Sequence, residues 1–129
     1  MEKLSIVIPA HNEGSRIART LEDYLSYFSE LKQMNVLDFE IVVVLNACKD
    51  NTCEIVRKFK NKELIILDFE QGGKGFAITE GFKDSLKRDA DFIGFVDADC
   101  STSPKAFHDL LRNINSADGV IANRWHKRV

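Results

Sequence analysis

The sequence predicts an α/β domain with a doubly wound, mainly parallel sheet and helices on both faces. Short β-branched runs recur along the chain, and segments of helical periodicity separate them. The runs are apolar almost throughout instead of alternating with polar residues, which is typical of strands covered on both faces. Strands and helices that alternate in this way favour parallel pairing through right-handed crossovers.

The predicted strands are short runs rich in Val, Ile, Leu and Phe. In chain order they are LSIVIP (residues 4–9), FEIVVVLN (39–46), ELIILDF (63–69), DFIGFVD (91–97) and DGVIAN (118–123). No repeat, low-complexity segment or Pro/Gly-rich linker interrupts the pattern. The chain is therefore expected to be one domain over residues 1–129.

Helices are predicted in the intervals between these strands. Apolar residues share a helix face in three segments, namely Ile17, Leu21, Leu25 and Phe28, then Ile78, Phe82 and Leu86, then Phe107, Leu110, Leu111 and Ile114. A shorter helix is expected over residues 50–59, with Asp50 as its N-cap. Ser103 and Pro104 have the residue types of an N-cap and a first helical position.

Composition bounds the class of protein. The chain has 129 residues, of which 44% are hydrophobic and 29% charged, as in an ordinary globular domain. A formal net charge of −2 gives no reason to expect a nucleic acid or an anionic membrane as partner. The apolar runs are far too short to cross a bilayer, and no signal-peptide pattern is visible. Cys48, Cys53 and Cys100 form no CxxC pair, which predicts free thiols and a cytoplasmic location.

Polar, charged and glycine residues follow the predicted strands at their carboxyl ends. In chain order these segments are PAHNE (9–13), NACKD (46–50), QGGKG (71–75), DADCST (97–102) and Arg124. In an open α/β sheet, ligands bind beyond the carboxyl ends of the strands. The sequence therefore predicts one site at this edge of the sheet.

Asp97 and Asp99 are candidate metal ligands in this edge. Two carboxylates two positions apart can turn toward one divalent cation such as Mg²⁺ or Mn²⁺, whose other ligands are water and phosphate. The alternative is that either aspartate caps the next helix or begins a turn. Because Ser103 and Pro104 already supply a helix start, the metal hypothesis is favoured.

The segment GGKGFAITEG is a glycine-rich turn that opens a helix. Amide groups at a helix N-terminus attract phosphate, and Lys74 adds a positive charge. The segment matches neither a Walker A loop nor G-x-G-x-x-G, and a mobile turn with a solvated lysine is the alternative.

Other polar residues have sufficient structural explanations. Asn12 is explained as a helix N-cap and Glu13 as a favourable charge in the first helical turn. The histidines have no metal-ligand spacing, and His108 is expected to be exposed or packed. No catalytic triad follows from spacing, and the acids beside Cys100 disfavour its thiolate.

Five segments in a fixed order resemble a known family. They are SIVIPAHNE, EIVVVLNACKDNT, GGKGFAITEGF, FVDADCSTSP and DGVIANRW, and they cover nearly the whole chain. Together they resemble the family-2 glycosyltransferases with the GT-A fold, especially the dolichyl-phosphate mannose and glucose synthase branch. The resemblance implies inverting transfer of a sugar from a UDP- or GDP-linked donor, with Mg²⁺ or Mn²⁺. The branch suggests a lipid phosphate as acceptor.

At the nucleoside end, the resemblance implies that Pro9, Ala10 and Glu13 line the base and ribose pocket. The family often has an Asp-Asp-Gly-Ser-x-Asp pattern after the second strand, of which this chain keeps only Asp50 and Thr52. A carboxylate that would contact the base is replaced, and Asn46 is the candidate to take over with its amide. The identity of the base stays open.

At the diphosphate end, the resemblance implies that Asp97 and Asp99 are the family's DxD motif and hold the metal. Lys74 and Arg124 are implied to lie near the phosphates or the sugar. A bound divalent ion would stabilise the negative charge of the departing nucleoside diphosphate. The synthase branch often has a metal-binding glutamine at the position of Ser101, which is a shorter and weaker ligand.

The end of the chain departs most from the family pattern. The family's catalytic base and acceptor pocket normally follow the position of Arg124, so no catalytic residue is nominated within the chain. The expectation is a donor-binding part, either cut from a longer protein that would act at the inner face of a membrane or forming an unusually short natural protein. Trp125, large and apolar, favours a partner surface, and a second copy of the chain is one candidate.

Two other functions remain open. A nucleotidyltransferase also uses an α/β sheet, a metal and a basic residue, but its glycine-rich loop follows the first strand, where this chain has only Gly14. A non-catalytic module that binds nucleotide sugars fits the short length and the altered loop after the second strand.

Overall fold

Strands and helices alternate in the predicted order in the computed structural model, which describes residues 1–114. The elements are β1 (Lys3–Ala10), α1 (Ile17–Gln33), β2 (Asp38–Asn46), α2 (Thr52–Arg57), β3 (Leu64–Phe69), α3 (Lys74–Leu86), β4 (Phe92–Phe95) and α4 (Pro104–Arg112). The predicted fifth strand, Arg124 and Trp125 lie outside the described residues. Within residues 1–114, every helix is too short or too polar to span a membrane.

The described strands form one parallel sheet in the order β3-β2-β1-β4. The chain passes from β1 to β2 and β3 on one side, then returns to pair β4 with the other side of β1. The order therefore reverses at β1, and the loops after β1 and β4 diverge there. In a doubly wound sheet this divergence opens the crevice in which ligands bind. The predicted fold class is confirmed.

The sheet is covered on both faces. On one face, α1, α2 and α4 pack against alternate residues of the central strands, such as Ile6 and Ile41. On the other, α3 packs against Val7 and Val44. Helix α3 approaches so closely that a Cβ atom at Gly81 would lie 2.4 Å from Val7 Cγ1. This position therefore accepts no larger residue without a shift of the helix.

Strand β4 is shorter than predicted, because it ends at Phe95 instead of Asp97. The Val96 amide still donates to the Val7 carbonyl at 3.0 Å. Two residues further along β1, the next group that faces β4 belongs to Pro9, which has no amide hydrogen to continue the ladder. Asp97 is thus released from the sheet at the edge where the site lies.

Two predicted helix starts are wrong. Helix α1 begins at Ile17, so Asn12 and Glu13 lie in the preceding loop and neither caps the helix. Helix α2 begins at Thr52 with Asn51 in the N-cap position, and Asp50 lies outside it. The side chains of Asn12 and Asp50 instead bind each other's loops, as described below. The predicted start of α4 is confirmed, since the Ser103 hydroxyl accepts from the Ala106 amide at 3.1 Å.

A buried ionic network lies at the edge opposite the loops after β1 and β4. The Glu40 side chain is only 4% exposed, and Arg88, Ser5 and Lys3 surround it with nitrogen or hydroxyl oxygen 2.8–3.1 Å away. Burial would raise the pKa of Glu40, but the hydrogen bonds from these groups outweigh it and lower the pKa. Since Arg88 follows α3, the network fixes the end of that helix against the sheet.

An aromatic contact joins α4 to α1. The Tyr27 hydroxyl oxygen lies 2.8 Å from His108 Nδ1, within hydrogen-bond distance, and the His108 ring packs edge-on against Tyr27 and Phe28. Burial lowers the pKa of His108, and Arg112 and Lys105 lower it further while Asp109 opposes them. The histidine is therefore neutral and packed, as one of the two sequence-based alternatives stated.

We expect the protein to lose stability through His108 as the pH falls. The pKa of His108 is lower in the folded state, so the unfolded state binds a proton more readily below about pH 6.5. The loss begins there and is complete below the folded-state pKa. Urea unfolding at about pH 7.5 and about pH 5.5 checks it, with His108→Gln as the non-titrating control. Between the two pH values the variant should lose less stability than the wild type. The difference should be under about 1 kcal/mol, because the ring is only partly buried. Equal losses would contradict the assignment of this pH dependence to His108.

Candidate nucleotide-diphosphate site

A cleft of about 560 Å³ opens at the carboxyl edge of the sheet. Its lining residues are Pro9, His11, Glu13, Asn46, Gly72, Gly73, Lys74, Asp97, Ala98 and Asp99. Six of the eight residues that the sequence singled out thus share one cavity. The Ala10 side chain is instead fully buried in the core beneath the cleft, and Arg124 lies outside the described residues.

Hydrogen bonds join the loop after β1 to the loop after β2. Asn12 Oδ1 accepts from the Lys49 amide at 2.8 Å, and the Gly14 amide donates to Asp50 Oδ2 at 3.0 Å. Between them, the Glu13 amide donates to Thr52 Oγ1 at 2.9 Å. The side chain and amide of Thr52 lower the pKa of Asp50, so this acceptor is ionised. These bonds hold the backbone of Glu13 at the rim of the cleft.

His11 is a lining residue that sequence reasoning missed. Its Nδ1 lies 2.8 Å from the Asn46 carbonyl oxygen, within hydrogen-bond distance, and its other ring nitrogen lies 3.4 Å from Asn12 Nδ2. The sequence signal was its position directly after a strand end. Gly72, Gly73 and Ala98 are the remaining lining residues that were not named individually.

Asn46 carries a buried acceptor in the cleft wall. The residue is 3% exposed, and its Nδ2 donates to the Gly73 carbonyl at 3.3 Å. Its Oδ1 is buried and has no hydrogen-bond partner among the described residues. A buried polar atom without a partner costs free energy, so Oδ1 is suited to accept a hydrogen bond from a bound molecule.

The glycine-rich turn brings the start of α3 to the cleft. Gly73 has φ 110°, a conformation that favours glycine, and its carbonyl accepts from the Ala77 amide at 3.1 Å. None of the described side chains caps α3, so the amides of its first turn lack a side-chain acceptor. Lys74 is the first residue of the helix. The turn therefore offers amide hydrogens and one ammonium group to an anion.

Helix α1 holds the loop that contains the two aspartates. The Thr20 hydroxyl donates to the Ala98 carbonyl at 2.5 Å, and the Tyr24 hydroxyl donates to the Thr102 carbonyl at 2.6 Å. Both bonds reach backbone groups, so they fix the path of the loop whatever its side chains do. Asp97 and Asp99 are thus held at the cleft by a rigid element.

Asp99 is ionised, and the adjacent thiol is not. The Ser101 amide donates to Asp99 Oδ1 at 3.0 Å and lowers the pKa of Asp99, and the charge of Arg16 adds to this effect. Burial raises the pKa of Cys100, and the neighbouring Asp23 raises it further. The disfavoured thiolate was predicted, but its causes are burial and Asp23, not the two aspartates beside it.

The described residues alone do not complete a metal site. Across residues 1–114, no three His, Cys, Asp or Glu side chains are grouped closely enough to hold an ion. Asp97 and Asp99 supply carboxylate oxygens, which are hard ligands suited to Mg²⁺ or Mn²⁺, but fewer than such an ion requires. The donor set fits a cation whose coordination is completed by water and by the oxygens of a bound anion.

Comparison with known proteins relates most of the chain to one family. The family model described as Glycosyl transferase family 2 matches residues 5–129. Dolichyl-phosphate beta-glucosyltransferase ALG5C of Trichomonas vaginalis is 34% identical over 95% of this chain. Dolichyl-phosphate beta-glucosyltransferase of Dictyostelium discoideum is 28% identical over 92% of this chain. The chain spans 38% of the length of each of these relatives.

Solved structures are similar as well. The crystal structure of S. aureus TarS 1–349 has a TM-score of 0.63 and 26% identity over 87% of this chain and 32% of that chain. The same TarS fragment in complex with UDP-GlcNAc has a TM-score of 0.60 and 25% identity, covering 87% of this chain and 30% of that chain.

Proposed function

The chain belongs to glycosyltransferase family 2, and we propose that it forms the donor-binding part of an enzyme that transfers a sugar from a nucleotide-diphosphate sugar. The relatives that use dolichyl phosphate agree with the predicted resemblance to the dolichyl-phosphate sugar synthase branch. The observation that carries the proposal is the cleft, which places an anion-binding helix start opposite two carboxylates. This is the arrangement that a metal-bound diphosphate requires.

We assign the nucleoside to the part of the cleft lined by Pro9, Glu13 and Asn46. The unpaired Asn46 Oδ1 would accept a hydrogen bond from an N–H group of the base. Uracil and guanine both carry such a group, which is compatible with the UDP- or GDP-linked donor that the family resemblance implies. The fixed Glu13 backbone would place that side chain beside the ribose hydroxyls. The UDP and UDP-GlcNAc complexes of TarS support a nucleotide in this fold.

We assign the diphosphate to the start of α3. The amides of the first helical turn would donate to phosphate oxygens, and Lys74 would neutralise part of their charge. Arg124, by the family resemblance, would add a second cation. The donor sugar would then lie beyond the diphosphate, toward the loop that carries Asp99.

A divalent cation is needed to balance the charge of the cleft. The described lining residues include the carboxylates of Glu13, Asp97 and Asp99 but only one cationic side chain, Lys74. A diphosphate would be repelled by this excess of negative charge. Asp97 and Asp99 would hold Mg²⁺ or Mn²⁺, which supplies Lewis-acid stabilisation of the leaving nucleoside diphosphate when bound.

The acceptor is proposed from the relatives. The names of the T. vaginalis and D. discoideum relatives specify dolichyl phosphate, so a lipid phosphate is the acceptor we propose, and we place it at the inner face of a membrane. An inverting transfer follows from the family resemblance. A module that binds nucleotide sugars without turnover is the second candidate, because none of the described residues is assigned as base toward an acceptor.

Calorimetric titration with UDP and with GDP tests the proposal. With Mn²⁺ present, one of the two is expected to bind, and the corresponding nucleoside should bind far more weakly because it lacks the diphosphate. Chelation of the metal should weaken binding of the diphosphate. Failure of both nucleotides to bind, with or without metal, would contradict the proposal. If a nucleotide does bind, steady sugar transfer or hydrolysis by the chain would exclude the second candidate, the module without turnover.

A further inference from the structure

Lys74 and Asp97 form an ion pair across the cleft. Lys74 Nζ lies 2.5 Å from Asp97 Oδ1. The two residues come from separate elements, since Lys74 begins α3 and Asp97 follows β4. Both line the cleft. The proposed function gives each of them a different partner, namely the diphosphate for Lys74 and the cation for Asp97.

A divalent cation and the ammonium group compete for the same carboxylate. A cation on Asp97 Oδ1 would stand only a few ångströms from Nζ, and positive charges at that distance repel one another strongly. The diphosphate competes in the opposite sense, because its oxygens attract the ammonium group away from Asp97. Binding of the metal-bound diphosphate therefore favours opening of the ion pair.

The ion pair can open at small cost. The Lys74 side chain is 57% exposed, and exposed ion pairs contribute little to stability. A Cβ atom at the neighbouring Gly75 would meet no atom of residues 1–114 within 4 Å, so this part of the chain leaves space beside Lys74. Once released, the ammonium group remains at the first turn of α3, next to the amides assigned to the diphosphate.

We propose that the Lys74–Asp97 pair is an exchange switch that couples cation binding to nucleotide binding, an inference that rests on the proposed function. Without ligand, Lys74 occupies an oxygen of the cation site and keeps the bare cation weakly bound. When cation and diphosphate arrive together, Lys74 moves from Asp97 to the phosphates. Each ligand then strengthens the binding of the other, and the coupling is reciprocal.

Substitution of Lys74 should therefore change the two affinities in opposite directions. In Lys74→Met the competing ammonium group of Lys74 is gone, so Mn²⁺ alone should bind several-fold more tightly. The same variant lacks the charge that neutralises the phosphates, so the Mn²⁺–nucleoside diphosphate complex should bind at least about tenfold more weakly. A merely structural role of Lys74 would not produce this reversal of sign.

The experiment measures two affinities in four forms of the 129-residue chain. Mn²⁺ alone is titrated by the paramagnetic resonance of the free ion, and Mn²⁺ with UDP or GDP is titrated by calorimetry. The forms are the wild type, Lys74→Met, Lys74→Arg and Lys83→Met. Lys83 lies on the same helix but pairs with Glu80 and does not line the cleft, so it is the matched control.

The expected result is the reversal in Lys74→Met, with Lys74→Arg near the wild type because its cation can serve both partners. Lys83→Met should match the wild type. The exchange is overturned if Lys74→Met leaves Mn²⁺ affinity unchanged or weakens both affinities, and the proposed function then stands as long as the wild type binds the nucleotide. If the wild type binds neither UDP nor GDP with Mn²⁺, the proposed function and the exchange both fail.

Discussion

Asp99→Asn is expected to weaken the Mn²⁺-dependent binding of a nucleoside diphosphate by at least about tenfold. The substitution removes one of the two negative charges proposed to hold the cation. Asparagine keeps an oxygen that can accept from the Ser101 amide, so the loop should keep its path. Without metal the sign should reverse, because the variant repels the diphosphate less. Calorimetric titration with UDP or GDP, in Mn²⁺ and in chelator, measures both effects.

Asp109→Asn is the matched control for this substitution. Asp109 is an exposed aspartate on α4 that pairs with Lys105, and it does not line the cleft. Its substitution should leave both affinities unchanged. An Asp99→Asn variant that binds the nucleotide as tightly as the wild type in Mn²⁺ would exclude Asp99 as a metal ligand.

Arg88→Met is expected to destabilise the fold by about 3–5 kcal/mol, enough to unfold a marginal domain. Arg88 donates hydrogen bonds to both carboxylate oxygens of Glu40, and its removal leaves a buried negative charge whose remaining partners among residues 1–114 are Ser5 and Lys3. Urea unfolding measures the loss. The loss should be smaller at about pH 5 than at about pH 7.5. In the variant, burial is no longer offset by Arg88 and raises the pKa of Glu40, so the carboxyl group can become neutral as the pH falls.

A paired substitution tests whether the uncompensated charge is the cause. In Glu40→Met with Arg88→Met, both partners are removed together, and much of the stability lost in Arg88→Met should return. If the double variant is as unstable as Arg88→Met alone, the loss comes instead from the packing of the Arg88 side chain or from its second ion pair, with Asp84 at 2.6 Å. Nucleotide affinity in the folded double variant should match the wild type, since this network lies at the edge of the sheet away from the cleft.

The order of elements was predictable from the sequence, while several boundaries were not. Apolar runs and helical spacing are local signals, and the segments that they predicted correspond to β1, β2 and α1 in the structure. The end of β4 depends on Pro9, a residue far away in the chain, because it is the missing amide hydrogen of β1 that stops the ladder. When a neighbouring strand determines where a strand ends, the residues of the shorter strand carry no signal of that boundary.

The misassigned helix caps have a similar cause. Asn12 and Asp50 have the residue types of N-caps, but each side chain binds an amide in the other's loop, and Asp50 also accepts from Thr52 at the start of α2. The bonds between the two loops cross more than 35 positions of sequence, and they exist only because β1 and β2 are neighbours in the sheet. Composition therefore predicted that the side chains bind backbone amides, and tertiary structure decided which ones.

The candidate site was predictable to the extent that strand ends converge. The rule that ligands bind beyond the carboxyl ends brought together Pro9, Glu13, Asn46, Lys74 and the two aspartates, and the cleft contains all of them. The same rule does not say which way a side chain points, so it included Ala10, whose methyl group faces the core. It also could not show that Lys74 contacts Asp97, since that contact depends on the separation of two loops.

The location of a bound metal-nucleotide complex tests the central claim most directly. Amide resonances of the ¹⁵N-labelled chain are recorded with UDP or GDP, first with Mg²⁺ and then with traces of paramagnetic Mn²⁺, which broadens nearby signals. We expect the strongest broadening at Asp97, Ala98 and Asp99, followed by Gly72 to Lys74, and almost none at Arg88 or Glu40. Broadening centred away from the cleft, or none that depends on the nucleotide, would contradict a metal-bound diphosphate at this edge of the sheet.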